Sequence, residues 1–119
     1  MCDFSTGFER PEMQKERHCV VVSPKVHKDS CLIVPLSSLP PRHVEKWHYL
    51  LPQNAYLCMA QNTDIWAKAD MLTHAGWQRL RRPKENHVEV RRIMQAGHLK
   101  NVLIAVIHAI NCGHVEPYI

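Results

Sequence analysis

The sequence contains no apolar stretch of about 18 residues, the length that a helix needs to cross a bilayer. No basic region followed by an apolar stretch follows Met1, as a secretory signal would require. None of the five cysteines forms a Cys-x-x-Cys pair, and no repeat or low-complexity tract is present. These absences predict a cytoplasmic chain with reduced thiols, no membrane partner and a single domain over residues 1–119.

The charge balance is mildly basic. Fifteen Lys and Arg residues against eleven Asp and Glu residues give a formal net charge of +4. This excess favours a polyanionic partner such as nucleic acid, although a merely solvated basic surface explains it equally well. Hydrophobic residues make up 45% of the chain and charged residues 22%, which is typical of a globular domain with one core.

Short apolar or β-branched runs predict several strands, and one longer periodic segment predicts a helix. The predicted strands cover residues 18–23, 31–36, 47–51, 64–71 and 88–90. Pro35 predicts that the second of them lies at an edge or leaves the sheet. Apolar residues recur at helical spacing from Leu99 to Ile110, with Gly113 as the expected C-cap. Together these elements predict an α+β, mainly β fold: a small twisted antiparallel sheet or partly open barrel with a C-terminal helix.

Three segments place polar or charged residues at the ends of apolar, strand-like runs. They are residues 12–24 (Glu-Met-Gln-Lys-Glu-Arg-His-Cys-Val-Val-Val-Ser-Pro), 32–41 (Leu-Ile-Val-Pro-Leu-Ser-Ser-Leu-Pro-Pro) and 66–73 (Trp-Ala-Lys-Ala-Asp-Met-Leu-Thr). In order and content they resemble the PemK/MazF family of small ribonuclease toxins. That family normally opens with a further strand before the residues that match Asp3 and Phe4, so the resemblance implies an N-terminally shortened member.

The resemblance implies a metal-independent endoribonuclease, a hydrolase that cleaves single-stranded RNA as the toxin of a type II toxin–antitoxin pair. The partners it implies are the RNA, a cognate antitoxin protein and a second copy of the chain in a homodimer. It implies no cofactor. A zinc site is not expected either, because His108, Cys112 and His114 do not form the two ligand clusters that a tetrahedral site needs.

RNA cleavage of this kind needs a base for the 2′-hydroxyl proton, an acid for the leaving oxygen and a cation for the phosphorane. The resemblance maps Arg17 onto the family's phosphate-holding arginine, and a guanidinium can fork onto two phosphate oxygens. Glu12 matches a loop glutamate, which would act as base or orient Arg17. Asp70 matches an aspartate that serves as acid and base in the PemK branch. Arg17, Asp70 and Glu12 are therefore the predicted catalytic residues, with ordinary solvated surface charges as the open alternative.

Four further residues are predicted to bind RNA phosphates: Ser37, Lys68, Arg79 and Arg81. Ser37 follows the second predicted strand, where a turn-capping role beside proline would explain it equally well. Lys68 and Asp70 would share one strand face, because residues i and i+2 point the same way, but a surface ion pair is the plainer explanation. The basic run that begins at Arg79 could follow a phosphate backbone or be simply solvated.

Two other functions stay open on the sequence alone. The same fold could have lost catalysis and become a phage or mobile-element protein that inhibits a host defence complex, in the manner of an anti-CRISPR inhibitor, because fold does not fix function. A nucleic-acid-binding regulator without chemistry is the other possibility. Trp47, Trp66 and Trp77 could stack on unpaired bases in such proteins or pack in a core.

Overall fold

The computed structural model describes residues 2–3, 16–27, 30–89 and 93–111, and side chains within 17–23, 30–88 and 93–111. Short strands precede one helix in these ranges. The strands are β1 (Cys2–Asp3), β2 (Glu16–Arg17), β3 (Cys19–His27), β4 (Ser30–Ser37), β5 (His48–Leu51), β6 (Ile65–Lys68), β7 (Thr73–Gly76), β8 (Lys84–Glu85) and β9 (Val88–Glu89), and the helix is α1 (Ala96–Ala109). Two 3₁₀ turns, Ala69–Met71 and Trp77–Arg79, follow β6 and β7.

The main sheet is antiparallel and, within the residues described, open rather than closed. Its strand order is β3-β4-β6-β5, and β7 also pairs with β4. Strand β4 therefore has β3 along one edge and both β6 and β7 along the other. The sheet and its C-terminal helix confirm the predicted α+β class.

Pro35 lies inside the central strand, so the prediction that it marks an edge or an exit was wrong. The N–H of Leu36 donates to the carbonyl of His18 at 2.9 Å, on the β3 side of β4. Because successive N–H groups of a strand point to opposite sides, the N–H that Pro35 lacks would face the other edge. There the pairing with β7 ends at Ile33 and the pairing with β6 begins at Leu36. The proline falls in this gap and removes no hydrogen bond of the ladder.

The helix packs on one face of the sheet. Val102 and Ala105 are buried on α1, while Leu99 and Val106 pack against the same core from partly buried positions. The buried part of this core comprises Val20, Val34, Leu36, Leu51, Tyr56, Met59, Ala67 and Val102. A smaller cluster, Cys31, Ile33 and Ala75, is buried as a separate group.

The two ends of α1 have different anchors. At its start, the Gln95 N–H donates to the hydroxyl of buried Tyr56 at 3.0 Å, and that hydroxyl lies 2.7 Å from Nδ1 of His98. At its end, Asn111 takes a left-handed φ of 63°. The helix therefore stops before Gly113, the expected cap, which lies outside the described residues.

Local patterns misplaced two strand boundaries. Strand β3 runs through Pro24 to His27, with register shifts on either side of Ser23, where an irregular edge strand can hold a proline. The strand predicted over 64–71 stops at Lys68, because the backbone turns over Ala69–Met71. Strand β7 was not predicted at all.

Three smaller predictions can be compared with the structure. The strand expected near 88–90 is observed as β9, which pairs with β8 across Asn86 and His87, both with left-handed φ as in a type I′ turn. Of the described cysteines, none whose side chain is placed forms a disulfide. No helix of the described ranges is long and apolar enough to span a membrane.

Burial predicts a clear stability difference between two valines. Val102→Ala removes two methyl groups from a fully buried site and should lower the free energy of unfolding by about 2 kcal/mol. Val44→Ala removes the same atoms from a side chain that is 65% exposed and should change it by less than about 0.5 kcal/mol. Urea unfolding followed by circular dichroism measures both, and equal losses would contradict the placement of the helix.

Candidate active site

Arg17, Ser37 and Trp66 occupy matching positions on three neighbouring strands. Trp66 pairs directly with Ser37 in the register of β4 and β6. On the other edge of β4, the hydrogen bond from Leu36 to His18 places the preceding residue, Arg17, opposite Ser37. Residues that face each other across an antiparallel pair have Cβ atoms about 4.5–5.5 Å apart. The three residues thus form one row across β2, β4 and β6, whereas Glu12 lies outside the described residues.

Two donors in this row are buried without a partner. Among the residues described, neither Nε of Arg17 nor Nε1 of Trp66 has a hydrogen-bond partner. Buried N–H groups are nearly always paired, and an unpaired one costs about 1–3 kcal/mol. The Nε–H of an arginine is also half of the fork that binds a phosphate. The row can therefore offer N–H groups to an anion, with the guanidinium supplying positive charge.

The hydroxyl of Ser37 holds the turn that follows β4. Its Oγ accepts a hydrogen bond from the Leu39 N–H at 3.1 Å, and the residue is only 4% exposed. The turn-capping role left open on the sequence is thus observed. It does not use the hydroxyl hydrogen, because an accepting serine oxygen keeps its own O–H for donation.

Asp70 lies in the 3₁₀ turn after β6 and meets a histidine that the sequence analysis missed. Its Oδ1 is 3.6 Å from Nε2 of His48, and the two side chains are 47% and 7% exposed. His48 begins β5 and pairs with Lys68. Local spacing gave no signal for this contact, since its two members belong to separate parts of the chain.

The expectation that Lys68 and Asp70 share a strand face was wrong, because the strand ends at Lys68. Lys68 nevertheless joins the two groups of residues. It lies two positions from Trp66 in β6, on the same face, and two residues of strand cover about 7 Å. The lysine, His48 and Asp70 therefore stand beside the row that contains Arg17. No three His, Cys, Asp or Glu side chains of the described ranges are grouped as a metal site would require.

The two predicted arginines of the basic run follow β7 in the chain and do not belong to the turn that carries Asp70. Arg79 ends the 3₁₀ turn Trp77–Arg79 and is partly buried, while Arg81 is exposed. Arg81 and Arg82 line a mostly apolar groove of about 780 Å³, together with Trp77 and His18. Leu36 and Leu99 of the core also line the groove, so it lies on the helix side of the sheet, whereas successive residues of a strand alternate and the side chain of Arg17 lies on the other face.

A family model for the PemK-like, MazF-like toxin of type II toxin–antitoxin systems matches residues 1–107. The match covers most of the 119 residues, so the chain belongs to this family of toxins. A toxin of this class works as one half of a pair, and an antitoxin is its expected partner. No curated protein matches the chain significantly.

The hydrogen bond of Ser37 generates a stability prediction. Ser37→Ala leaves the Leu39 N–H without its acceptor and should lower the free energy of unfolding by about 1 kcal/mol. Ser38→Ala, at the exposed neighbouring position, should stay within about 0.5 kcal/mol of the parent. Chemical denaturation measures the difference, and similar values for both variants would show that the turn does not depend on this hydroxyl.

Proposed function

We propose that the protein is a metal-independent endoribonuclease that cleaves single-stranded RNA, as the toxin of its toxin–antitoxin pair. The observation that carries this proposal is the Nε–H of Arg17, which is buried without a partner among the described residues, in a row with Ser37 and Trp66. A scissile phosphate is the anion that this row suits, because it accepts several hydrogen bonds and carries charge. Family membership supports this reaction class, and the row together with Asp70 is suited to the roles that the reaction needs.

In the proposed reaction the ribose 2′-oxygen attacks the adjacent phosphorus, and the bond from phosphorus to the 5′-oxygen breaks. Asp70 acts as acid and base, taking the 2′-hydroxyl proton and returning a proton to the leaving oxygen, with Glu12 or Lys68 in support. Arg17 holds the phosphorane charge and Ser37 donates its O–H to a phosphate oxygen. The products are a 2′,3′-cyclic phosphate and a 5′-hydroxyl.

We propose that the groove binds a segment of the RNA on the helix side of the sheet, away from the scissile bond. Its basic side chains, Arg81 and Arg82, suit phosphates, and Trp77 is 42% exposed and can stack on an unpaired base. Arg79 is less accessible, so we assign it a supporting contact. The homodimer stays a prediction. The family match favours the toxin, and no observation on the described residues favours the inhibitor of a host defence complex.

The site predicts cleavage of single-stranded RNA in the presence of EDTA, with a 2′,3′-cyclic phosphate at the new end. Arg17→Ala should lower the rate by about 10²- to 10³-fold, because it removes the cation at the phosphorane. Asp70→Asn keeps the shape of the side chain but ends proton transfer, and should lower the rate by about 10²- to 10⁴-fold. Gel analysis of cleavage and of the end group measures these effects.

Two matched variants control for charge alone. Lys100→Ala removes one exposed positive charge from α1, and Asp64→Asn neutralises an exposed carboxylate that accepts a hydrogen bond from Gln53. Both should cleave like the parent. The proposal fails if the folded parent cleaves no long RNA at high concentration, or if Arg17→Ala and Asp70→Asn match these controls.

The groove predicts a change in the salt dependence of RNA binding. Arg81→Ala should weaken binding of an RNA whose 2′-hydroxyls are methylated, and so cannot react, and should reduce the slope of log K against log salt by about 0.7 for one lost phosphate contact. Lys100→Ala removes the same charge from the helix and should leave the slope unchanged. Fluorescence anisotropy at several salt concentrations measures both slopes, and an unaltered slope for Arg81→Ala would place the RNA elsewhere.

A further inference from the structure

We propose that His48 is a positioning residue, which holds Oδ1 of Asp70 so that Oδ2 faces the reacting 2′-hydroxyl. The inference rests on the proposed RNA-cleaving function and adds a residue to its machinery. Three observations carry it: the place of the imidazole in the fold, the hydrogen bond at its other nitrogen, and the backbone bond that joins the two segments.

The imidazole of His48 is fixed by its own turn. Its Nδ1 accepts a hydrogen bond from the Glu45 N–H at 3.0 Å, and the His48 N–H donates to the Glu45 carbonyl at 3.1 Å. The ring is 7% exposed and lies edge-on to Trp47, with 6.1 Å between the ring centroids. The backbone of Glu45 thus bonds both to the ring Nδ1 and to the backbone N–H of His48. These two bonds leave the ring little freedom to turn.

The same contact decides where the imidazole proton lies. A ring nitrogen that accepts a hydrogen bond cannot carry a proton, so neutral His48 carries its proton on Nε2. That nitrogen is the one that faces Asp70. The histidine therefore presents an N–H to the carboxylate.

A backbone hydrogen bond holds the two partners in register. The Ala69 N–H donates to the Trp47 carbonyl at 2.9 Å. Ala69 precedes Asp70 and Trp47 precedes His48, so this bond ties the turn that carries Asp70 to the start of β5. Ala69 is buried, and this anchors the turn in the core.

The separation of 3.6 Å between Nε2 and Oδ1 is longer than a hydrogen bond. Catalytic contacts in proteins without substrate are often long and shorten when substrate binds. Asp70 is half exposed, and RNA that displaces water from it would strengthen the attraction to the N–H. Lys68 pairs with His48 in the sheet, so its positive charge lies on the same face as the imidazole.

The experiment uses two amides that each keep one half of the imidazole. Glutamine places an amide N–H near the position of Nε2, whereas asparagine places its amide near Nδ1. If His48 acts through Asp70, His48→Gln should retain more activity than His48→Asn, and the loss in His48→Asn should fall on kcat, on the order of 10- to 100-fold as for outer partners of metal ligands, rather than on KM. If His48 only holds the turn at Glu45, the order is reversed.

A double-mutant cycle tests the same dependence. His48→Asn should cost less than about twofold in an Asp70→Asn background, because a positioning residue has no effect once the group it positions is lost. His43→Gln, at an exposed histidine in the preceding loop, should cleave RNA like the parent. Equal losses in both backgrounds, or more activity in His48→Asn than in His48→Gln, overturn the inference and leave the proposed function intact.

Nitrogen NMR gives a readout that does not depend on cleavage. The chemical shifts of the His48 ring at neutral pH should report a proton on Nε2 and none on Nδ1. A proton on Nδ1 overturns the inference whatever the activity. A parent protein that cleaves no RNA overturns the proposed function, and with it the catalytic role of His48, even where the NMR result agrees.

Discussion

Strand β4 is the constraint on which the rest of this structure depends, because three other strands take their positions from it. A strand with partners on both edges cannot shift by one residue without turning every side chain to the opposite face. Its register sends Leu36 into the core under the helix and leaves Ser37 opposite Trp66. Pro35 is tolerated in this strand only because one partner ends before it and the next begins after it.

The hydrophobic core also supports the candidate site from the opposite face of the sheet. Helix α1 contacts both β5 and the 3₁₀ turn that follows β6, the two elements that carry His48 and Asp70. Ala67 and Ala69 are buried between these layers, and the side chains next to them along the chain emerge at the site. Packing on one face of the sheet thus limits how far the two polar groups on the other face can move apart.

Local sequence patterns predicted the strands and the helix whose apolar residues follow one another closely in the chain. The runs over 31–36 and 47–51 became β4 and β5, and the periodic segment became α1. Local patterns failed at Asp70, because the strand ends there in a 3₁₀ turn. The N–H of Ala69 in this turn bonds to the carbonyl of Trp47, which is too distant in the chain for a local pattern to include. His48 was missed for the same reason. Resemblance to a family proposed Arg17, Ser37 and Asp70. Only the structure showed that Arg17 and Ser37 share a row and that Asp70 meets His48.

Nε of Arg17 and Nε1 of Trp66 are buried in the candidate site and have no hydrogen-bond partner among the described residues. An unpaired buried N–H opposes folding, so each such group lowers the stability of the protein that carries it. Hydrophobic packing on the helix side has to offset that cost, and places where local rules are broken are commonly functional. An anion that pairs with these donors binds only the folded state, and its binding energy adds to the stability of the fold. The groups proposed to bind phosphate are therefore groups that lower the stability of the fold when nothing pairs with them.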